Sequence, residues 1–304
     1  MRLMHAAAML TGVLLLSACS GHKTRPASQA RAGSAPVRVA AGAGHATERF
    51  RDDINQPQSR RYRDNSDSVP GDVPDIGKLT EPVPKVEPRS LYGNKSPYTV
   101  LGHTYRVLPT ARGYDERGIA SFYGNKFHGY KTSSLETYDM YAFSAASTTL
   151  PLPSYARVTN LENGKSVIVR VNDRGPFHQN RLIDLSYAAA VKIGIWPKGT
   201  GLVEVRGIDP ARPGKELPPP AVVTSGHPGI YLQVGAFADA ANAARLAQRL
   251  RGAGLDDVQT SDVLVDGRRV RRVRVGPLQD VGRADAVSAR IEGMGLPRPQ
   301  VAVD

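Results

Sequence analysis

Two acidic side chains, Glu136 and Asp173, are the candidates for chemistry in this 304-residue chain. A pair of carboxyl groups can act as a general acid and its charged counterpart. Asp173 lies in Asn-Asp-Arg-Gly-Pro, residues 172–176, whose glycine and proline end a strand and hold the carboxylate at its exit. Glu136 lies in a polar loop just before Asp139, which could cap a short helix over residues 140–147. The alternatives are that Asp173 is a turn residue and Glu136 an exposed loop acid.

A β-hairpin is expected to position Asp173. Asn163-Gly164 suits a two-residue type I′ turn, in which both positions need a positive φ. That turn would place Val158 opposite Val169 on one apolar face of the hairpin. Further short strands are expected at 119–123, 181–185 and 201–207, with one short helix from 187 to 193 that Ser186 caps. Many short strands around short helices indicate a small β-barrel.

The first residues of the chain have the pattern of an export signal. Arg2 precedes an apolar run from 6 to 16, which is far shorter than the ~18 residues that a membrane span needs. Leu-Ser-Ala-Cys at 16–19 resembles a bacterial lipobox, in which Cys19 becomes the lipidated first residue after removal of 1–18. Several acyl chains would make a stable anchor. The alternative is a coincidental cysteine in an ordinary signal peptide.

Two segments have the composition of linkers. Residues 19–88 are rich in Ala, Arg, Ser, Asp and Pro with almost no apolar periodicity, which predicts a disordered N-terminal tether. Residues 210–227 contain three consecutive prolines and should form a stiffer linker. Two folded domains are therefore expected, at 89–209 and 228–304.

The charge of the chain limits its partners. The net charge is +12 and the pI is near 9.9, which in a cytoplasmic protein would favour nucleic acid. Export removes that partner. Lipid head groups and anionic cell-wall polymer are the remaining candidates, although charge alone identifies no ligand.

The first folded domain resembles the rare lipoprotein A family. The resemblance spans about 120 residues of this chain and rests on motifs in a fixed order: 120–124 (ASFYG), 127–129 (FHG), 131–132 (KT), 149–154 (TLPLPS), 158–160 (VTN), 169–176 (VRVNDRGP) and 183–186 (IDLS). It implies a six-stranded double-psi β-barrel, related to expansins and family 45 glycoside hydrolases, followed by a SPOR domain. It also implies a septal endolytic lytic transglycosylase, a lyase that acts on peptidoglycan glycan strands stripped of their stem peptides, with catalytic acids at Glu136 and Asp173.

Such a reaction gives the two acids unequal roles. Cleavage of the bond between N-acetylmuramic acid and N-acetylglucosamine needs a proton on the leaving oxygen, so one carboxyl group must stay protonated. The C6 hydroxyl of the sugar then attacks C1 and gives a 1,6-anhydro product. We favour Asp173 as the acid and Glu136 as the group that stabilises positive charge, with the reverse assignment left open.

The same region supplies candidate substrate contacts and two departures from the family. Arg174 could bind the glycan, and Tyr123, Phe127 and His128 could stack on sugar rings or simply close the end of the barrel. Asp184 is expected to support the barrel. Many relatives carry Asn-Gly where this chain has Ser134-Leu135, and His where it has Ser147. If that histidine polarises the acid, the serine weakens activity.

The C-terminal domain contains an internal repeat. Val-Gly-Ala-Phe-Ala-Asp at 234–239 recurs as Val-Gly-Pro-Leu-Gln-Asp at 275–280, and each copy leads into a helix capped by Asp and ended by Gly. Two such halves give a ferredoxin-like β-α-β-β-α-β order with one open sheet face. An RNA-binding module shares this order but needs aromatic residues on its central strands. The repeat resembles a SPOR domain, whose expected glycan contacts here are Gln233, Phe237, Arg272 and Arg274, although the two arginines could equally be a solvated strand face.

The chain is thus expected to be mainly β plus α+β and to act as a lytic transglycosylase on denuded peptidoglycan. We expect it to be anchored to the outer membrane through Cys19, to face the periplasm and to be enriched at the division septum. The outer membrane is expected because Ser20, rather than an aspartate, follows the cysteine. Divisome proteins are possible partners, and no cofactor, metal or nucleic acid is expected. The alternative is a non-catalytic glycan-binding or tethering lipoprotein.

Overall fold

A computed structural model describes residues 52–71, 73–178, 180–212 and 228–304. The predicted signal peptide, Cys19, residues 19–51 of the predicted tether and residues 213–227 of the predicted linker lie outside this part. Within it, no helix combines the length and apolar character that crossing a membrane requires. The limits of the two predicted domains stay predictions.

Six strands close into a barrel, which confirms the predicted fold of the first domain. The strands are β3 Asp115–Tyr123, β4 Ser144–Ala146, β5 Ser154–Asn160, β6 Ser166–Asp173, β7 Ile183–Ser186 and β8 Gly201–Ile208. Around the barrel their order is β3-β7-β4-β6-β5-β8, and the pairs β3–β7 and β4–β6 are parallel while the others are antiparallel. Ser186 caps α2, Tyr187–Lys192, by accepting a hydrogen bond from Ala189 N.

The β5–β6 hairpin forms with a register that differs by two residues from the prediction. Val158 pairs with Val167 rather than with Val169, because residues 160–165 form a longer loop in which Asn160 N donates to Lys165 O at 2.9 Å. A shift of two residues keeps each side chain on the same face. Val158 and Val167 are therefore buried, as the apolar alternation predicts.

The helix predicted over 140–147 is wrong. Residues 144–146 instead form β4, the central strand between β6 and β7. The side chain of Asp139 accepts a hydrogen bond from Tyr141 N at 2.9 Å and caps a turn only. Ala145 and Ala146 are buried, with a neighbouring strand on each side. Tertiary packing has therefore overridden their local propensity.

The segment predicted to be a tether contacts the barrel through several of its described residues between 52 and 88. The segment includes α1, Gln58–Arg61, and a 3₁₀ helix at Ile76–Lys78. Asp52 accepts a hydrogen bond from Lys131 N at 2.6 Å, and Asp67 accepts one from Gly124 N at 2.8 Å. Val69 is only 2% exposed and packs in an apolar cluster of the barrel. These anchors are single residues at wide spacing, which an average over the composition of the segment does not reveal.

A short hairpin and the C-terminal domain complete the fold. The hairpin pairs β1, Tyr98–Val100, with β2, His103–Tyr105. The elements of the C-terminal domain are β9 Ile230–Phe237, α3 Ala240–Gly252, β10 Val258–Val265, β11 Arg268–Leu278, α4 Val281–Gly293 and β12 Gln300–Val303. Its strands form an antiparallel sheet in the order β10-β11-β9-β12, which together with the two helices confirms the ferredoxin-like prediction. Asp239 caps α3 and Asp280 caps α4.

Candidate active site

One tight loop, residues 131–137, connects the two candidate acids. Its ends meet in a bridge between Lys131 and Thr137, and Thr132 N donates to Glu136 O at 2.8 Å. Leu135 has φ of 66°, a left-handed conformation that is rare for a leucine. The unusual backbone therefore belongs to the loop that presents Glu136.

Asp173 ends β6, and one of its oxygens is fully engaged. Oδ1 accepts hydrogen bonds from Ser133 N at 2.7 Å, Ser133 Oγ at 2.6 Å and Arg174 N at 2.7 Å. Oδ2 accepts none from the residues that the structure describes. Burial raises the pKa of Asp173 above its ordinary value, and the hydrogen bonds from Ser133 and Arg174 only partly oppose this effect. The carboxyl group therefore holds its proton to a higher pH than an ordinary aspartate and has one oxygen available.

The pKa of Glu136 is shifted in the opposite direction, downward. Its carboxylate contacts Arg170, with Nη2 to Oε1 at 2.7 Å and Nε to Oε2 at 3.3 Å, and Asn172 Nδ2 donates to Oε2 at 2.9 Å. Burial raises the pKa of Glu136, but the hydrogen bonds and charge of Arg170 and the bond from Asn172 outweigh it and leave the pKa below its ordinary value. Glu87 and Tyr155 also contact Arg170 and hold it in place.

The two acids approach the end of β6 from its two sides. Successive side chains of a strand point in opposite directions. Asn172 and Arg170 face Glu136, while Asp173 faces Ser133 at the strand exit. The Glu136 side chain is 37% exposed, so this acid lies on an open rim of the barrel.

Asp184 is a second part-buried acid near Asp173, in a position that the sequence did not indicate. Ala146 in β4 pairs with Asp173 on one side and with Asp184 on the other, so the two backbones lie two strand spacings apart, about 9–10 Å. Ser121 Oγ donates to Asp184 Oδ1. Burial is the largest cause of the raised pKa of Asp184, and the charge of Asp173 adds to it. The hydrogen bond from Ser121 and the charges of His178 and Arg181 act in the opposite direction. The long-range pairing of β4 with both β6 and β7 brings Asp184 to the site.

The predicted aromatic contacts lie at the same end of the barrel but differ in exposure. Tyr123 is 8% exposed and stacks on Tyr138 with ring centroids 4.1 Å apart, so it closes the barrel rather than presenting a face to a sugar. Phe127 packs edge-on against Tyr123 at 5.9 Å. The His128 side chain is 44% exposed, and its Nδ1 accepts a hydrogen bond from Met140 N at 3.1 Å. His128 is the one of the three predicted contacts that solvent reaches readily.

Arg174 fastens loops around the site instead of offering a free guanidinium. Its Nε donates to Gly93 O at 2.6 Å, and its Nη1 donates to Ser147 O at 2.8 Å and to Leu150 O at 2.6 Å. Its Nη2 donates to Asn94 Oδ1 at 3.2 Å. The chain itself thus uses most of the N–H donors of Arg174, and its role in binding glycan stays a prediction.

Ser147, one of the expected departures from the family, is 1% exposed. Its backbone N donates to Asp173 O at 3.0 Å, and its Oγ accepts hydrogen bonds from Thr149 N and Leu150 N. The serine hydroxyl thus stabilises the following turn. It makes no hydrogen bond to either candidate acid within the described residues.

The predicted glycan contacts of the C-terminal domain lie on its sheet. Gln233 pairs across the strands with Arg274, and Arg272 lies two residues from Arg274 on the same face. Arg274 forms an ion pair with Asp304. Phe237 instead packs partly against the apolar core, so it does not join that face. Within the described residues, no group of three or more His, Cys, Asp or Glu side chains could hold a metal ion.

Comparisons with known proteins agree with the two-part architecture. Residues 115–206 match the double-psi barrel family model described as lytic transglycolase, and residues 226–301 match the SPOR domain model. The chain is 40% identical over 292 residues to the endolytic peptidoglycan transglycosylase RlpA of Pseudomonas aeruginosa, with 77% of this chain and 84% of the relative covered. It is 49% identical over 158 residues to the Vibrio cholerae protein of the same name, with 52% and 60% covered. The crystal structure of the RlpA SPOR domain from P. aeruginosa is 32% identical, covers 24% of this chain and 97% of its own, and has a TM-score of 0.24.

Proposed function

The chain belongs to the RlpA family of endolytic peptidoglycan transglycosylases, and from that premise we propose that it cleaves peptidoglycan glycan strands by lytic transglycosylation. The bond cleaved is the one between C1 of N-acetylmuramic acid and the oxygen of the following N-acetylglucosamine. The barrel carries the chemistry and the C-terminal domain binds the glycan. Strands without stem peptides are the preferred substrate.

The observation that carries this proposal is the opposed electrostatics of Asp173 and Glu136. Burial raises the pKa of Asp173, whereas hydrogen bonds from Arg170 and Asn172, acting against burial, lower the pKa of Glu136. A carboxyl group with a raised pKa beside another with a lowered pKa is the arrangement that suits acid-assisted cleavage of a glycosidic bond. The loop 131–137 contacts both acids, so a glycan strand lying across the end of β6 could meet both.

The reaction assigns one step to each acid. Asp173 gives its proton to the leaving oxygen as the C1–O bond breaks, while the charge of Glu136 stabilises the positive charge that develops at C1. The C6 hydroxyl of the same sugar then bonds to C1 and returns its proton to Asp173. The products are a 1,6-anhydro end and a new free hydroxyl, and no water is consumed. Asp184, whose pKa the charge of Asp173 helps to raise, lies beside the acid and takes no step in this reaction.

We also propose where the protein acts. The lipobox-like sequence at 16–19 supports an anchor in the outer membrane through acylated Cys19, with the folded domains in the periplasm. The SPOR match supports enrichment at the septum, where glycan stripped of stem peptides is expected. Fluorescent fusions of the full chain and of a Cys19→Ala variant, followed by membrane fractionation, test this placement. A variant that stays with the outer membrane would contradict the anchor.

A second candidate function is favoured by Ser147. If the histidine of relatives is needed for turnover, its replacement leaves a protein that binds septal glycan or tethers it to the membrane without cleaving it. Digestion of amidase-treated sacculi with the soluble protein from residue 20 onward separates the two functions. Release of anhydro-ended glycans, abolished in Asp173→Asn, supports the enzyme. Binding without release supports the tether, and new reducing ends would indicate a hydrolase.

A further inference from the structure

A short loop beside the acids presents two apolar side chains to solvent. In the segment Ser90–Asn94, Leu91 is 95% exposed and Tyr92 is 57% exposed. Adjacent large apolar residues at such exposure are unusual on a soluble surface and often indicate a binding site. Neither side chain packs on the barrel cores, and the sequence did not single out this loop.

The backbone of this loop is held rigidly although its two central side chains are free. Ser90 N donates to Leu152 O at 2.9 Å, and Asn94 Nδ2 donates to the same oxygen at 2.6 Å. Leu152 N returns a hydrogen bond to Asn94 Oδ1 at 2.9 Å, and Tyr92 N donates to Ser90 Oγ at 3.2 Å. Because the backbone of this loop is already fixed, binding a ligand to its apolar side chains would cost little further loop entropy.

The loop is in direct contact with the part of the chain that holds Asp173. Gly93 has φ of 76°, and a Cβ at this residue would lie 2.9 Å from Ser133 O. Ser133 in turn donates two hydrogen bonds to Asp173. The guanidinium of Arg174 joins the same two loops through Gly93 O. Tyr92 is therefore separated from the candidate acid by two close contacts.

We propose that Leu91 and Tyr92 form a subsite for an N-acetylated hexopyranose next to the scissile bond. Tyr92 has a flat apolar ring with a polar hydroxyl at its tip, which suits a sugar ring whose C–H face is apolar and whose edge is polar. Leu91 provides the neighbouring apolar surface for an acetamido methyl group. The inference rests on the proposed function, because it takes the glycan strand as the ligand.

The first experiment measures turnover of denuded glycan strands by the full soluble chain. Tyr92→Ala is expected to raise KM about tenfold, equal to about 1.4 kcal/mol, with a much smaller change in kcat. Tyr92→Trp keeps an aromatic face and should restore most of the loss. Val83→Ala is the matched control, because Val83 is 79% exposed on a segment outside the site. An unchanged KM for Tyr92→Ala would overturn the proposal.

The second experiment does not depend on catalysis. Hydroxyl-radical footprinting of Asp173→Asn, with and without stem-peptide-free glycan, reads the exposure of Leu91, Tyr92 and Val83 by mass spectrometry. Protection of Leu91 and Tyr92 but not of Val83 supports the subsite even if the wild-type protein releases no product, which would refute only the proposed function. Turnover without protection of Tyr92 refutes the subsite alone.

Discussion

Replacement of Arg170 by methionine should shift the pH dependence of activity. Arg170 holds Glu136 through contacts at 2.7 and 3.3 Å. Methionine keeps much of the length of the side chain and removes its charge and donors. Of the donors to Glu136 described above, Asn172 would then remain. Glu87, the other acid that contacts Arg170, would also lose its partner. The pKa of Glu136 must therefore rise in the variant.

The size of this shift follows from the exposure of the pair. A hydrogen bond to a charged group contributes about 1.5–3 kcal/mol, and solvent screening reduces that value. The Glu136 side chain is 37% exposed and that of Arg170 is 22% exposed, so we take the lower end. A loss of about 1.4 kcal/mol moves the acidic limb of the kcat/KM profile upward by about one pH unit.

The assay is release of glycan fragments across a pH series, with Arg170→Lys as the matched control that keeps the charge but not the planar fork. The acidic limb of the lysine variant should lie between those of the wild type and the methionine variant.

The Arg170–Glu136 pair also stabilises the fold at pH values above the ordinary pKa of glutamate, and this contribution is lost as pH falls through the pKa of Glu136 in the folded chain. The methionine variant should thus be less stable at pH 7 but not at pH 3. An acidic limb that does not move, or that moves equally in both variants, would refute the reasoning.

Three further changes test the rest of the structure by urea unfolding. Asp173→Asn should be more stable than the wild type at pH 7 and equal to it at pH 3. The raised pKa of Asp173 gives the wild type stability at pH values below the pKa of this group in the unfolded chain, and that stability is lost as pH rises through its pKa in the folded chain. A less stable variant at pH 7 would contradict the raised pKa. Leu135→Gly should gain about 0.5–1 kcal/mol, since relief of the left-handed strain exceeds the added chain entropy; a loss would show that the leucine is not strained. Val69→Ala should lose about 2 kcal/mol because the side chain is buried, whereas a free tether would show no change.

Local patterns in the sequence predict the faces of the barrel strands but not their exact pairing. The alternation of apolar residues in β5 and β6 is local, and it identifies the buried side of each strand correctly. The register depends on the loop at 160–165, where Asn160 N bonds Lys165 O, and the dipeptide Asn163-Gly164 alone suggested a tighter turn. Gly164 does adopt a positive φ of 70°. The turn chemistry was therefore recognised, but not the length of the loop.

The candidate site divides in the same way. The position of Asp173 at a strand exit follows from the Gly-Pro that succeeds it, which is a local signal. The neighbourhood of Asp184 does not, because it depends on β4 lying between β6 and β7. Arg170 as the partner of Glu136 also depends on a loop that no periodicity describes. Sequence-distant contacts of this kind are set by the closed barrel as a whole.

The opposite pKa shifts of the two acids can be measured directly by carbon-detected NMR titration of the side-chain carboxyl groups, assigned with Asp173→Asn and Glu136→Gln. We expect Asp173 to titrate above the ordinary range of aspartate and Glu136 below that of glutamate. A Glu136 that titrates above Asp173 would contradict the account, because the proton would then be on the wrong acid for the proposed reaction.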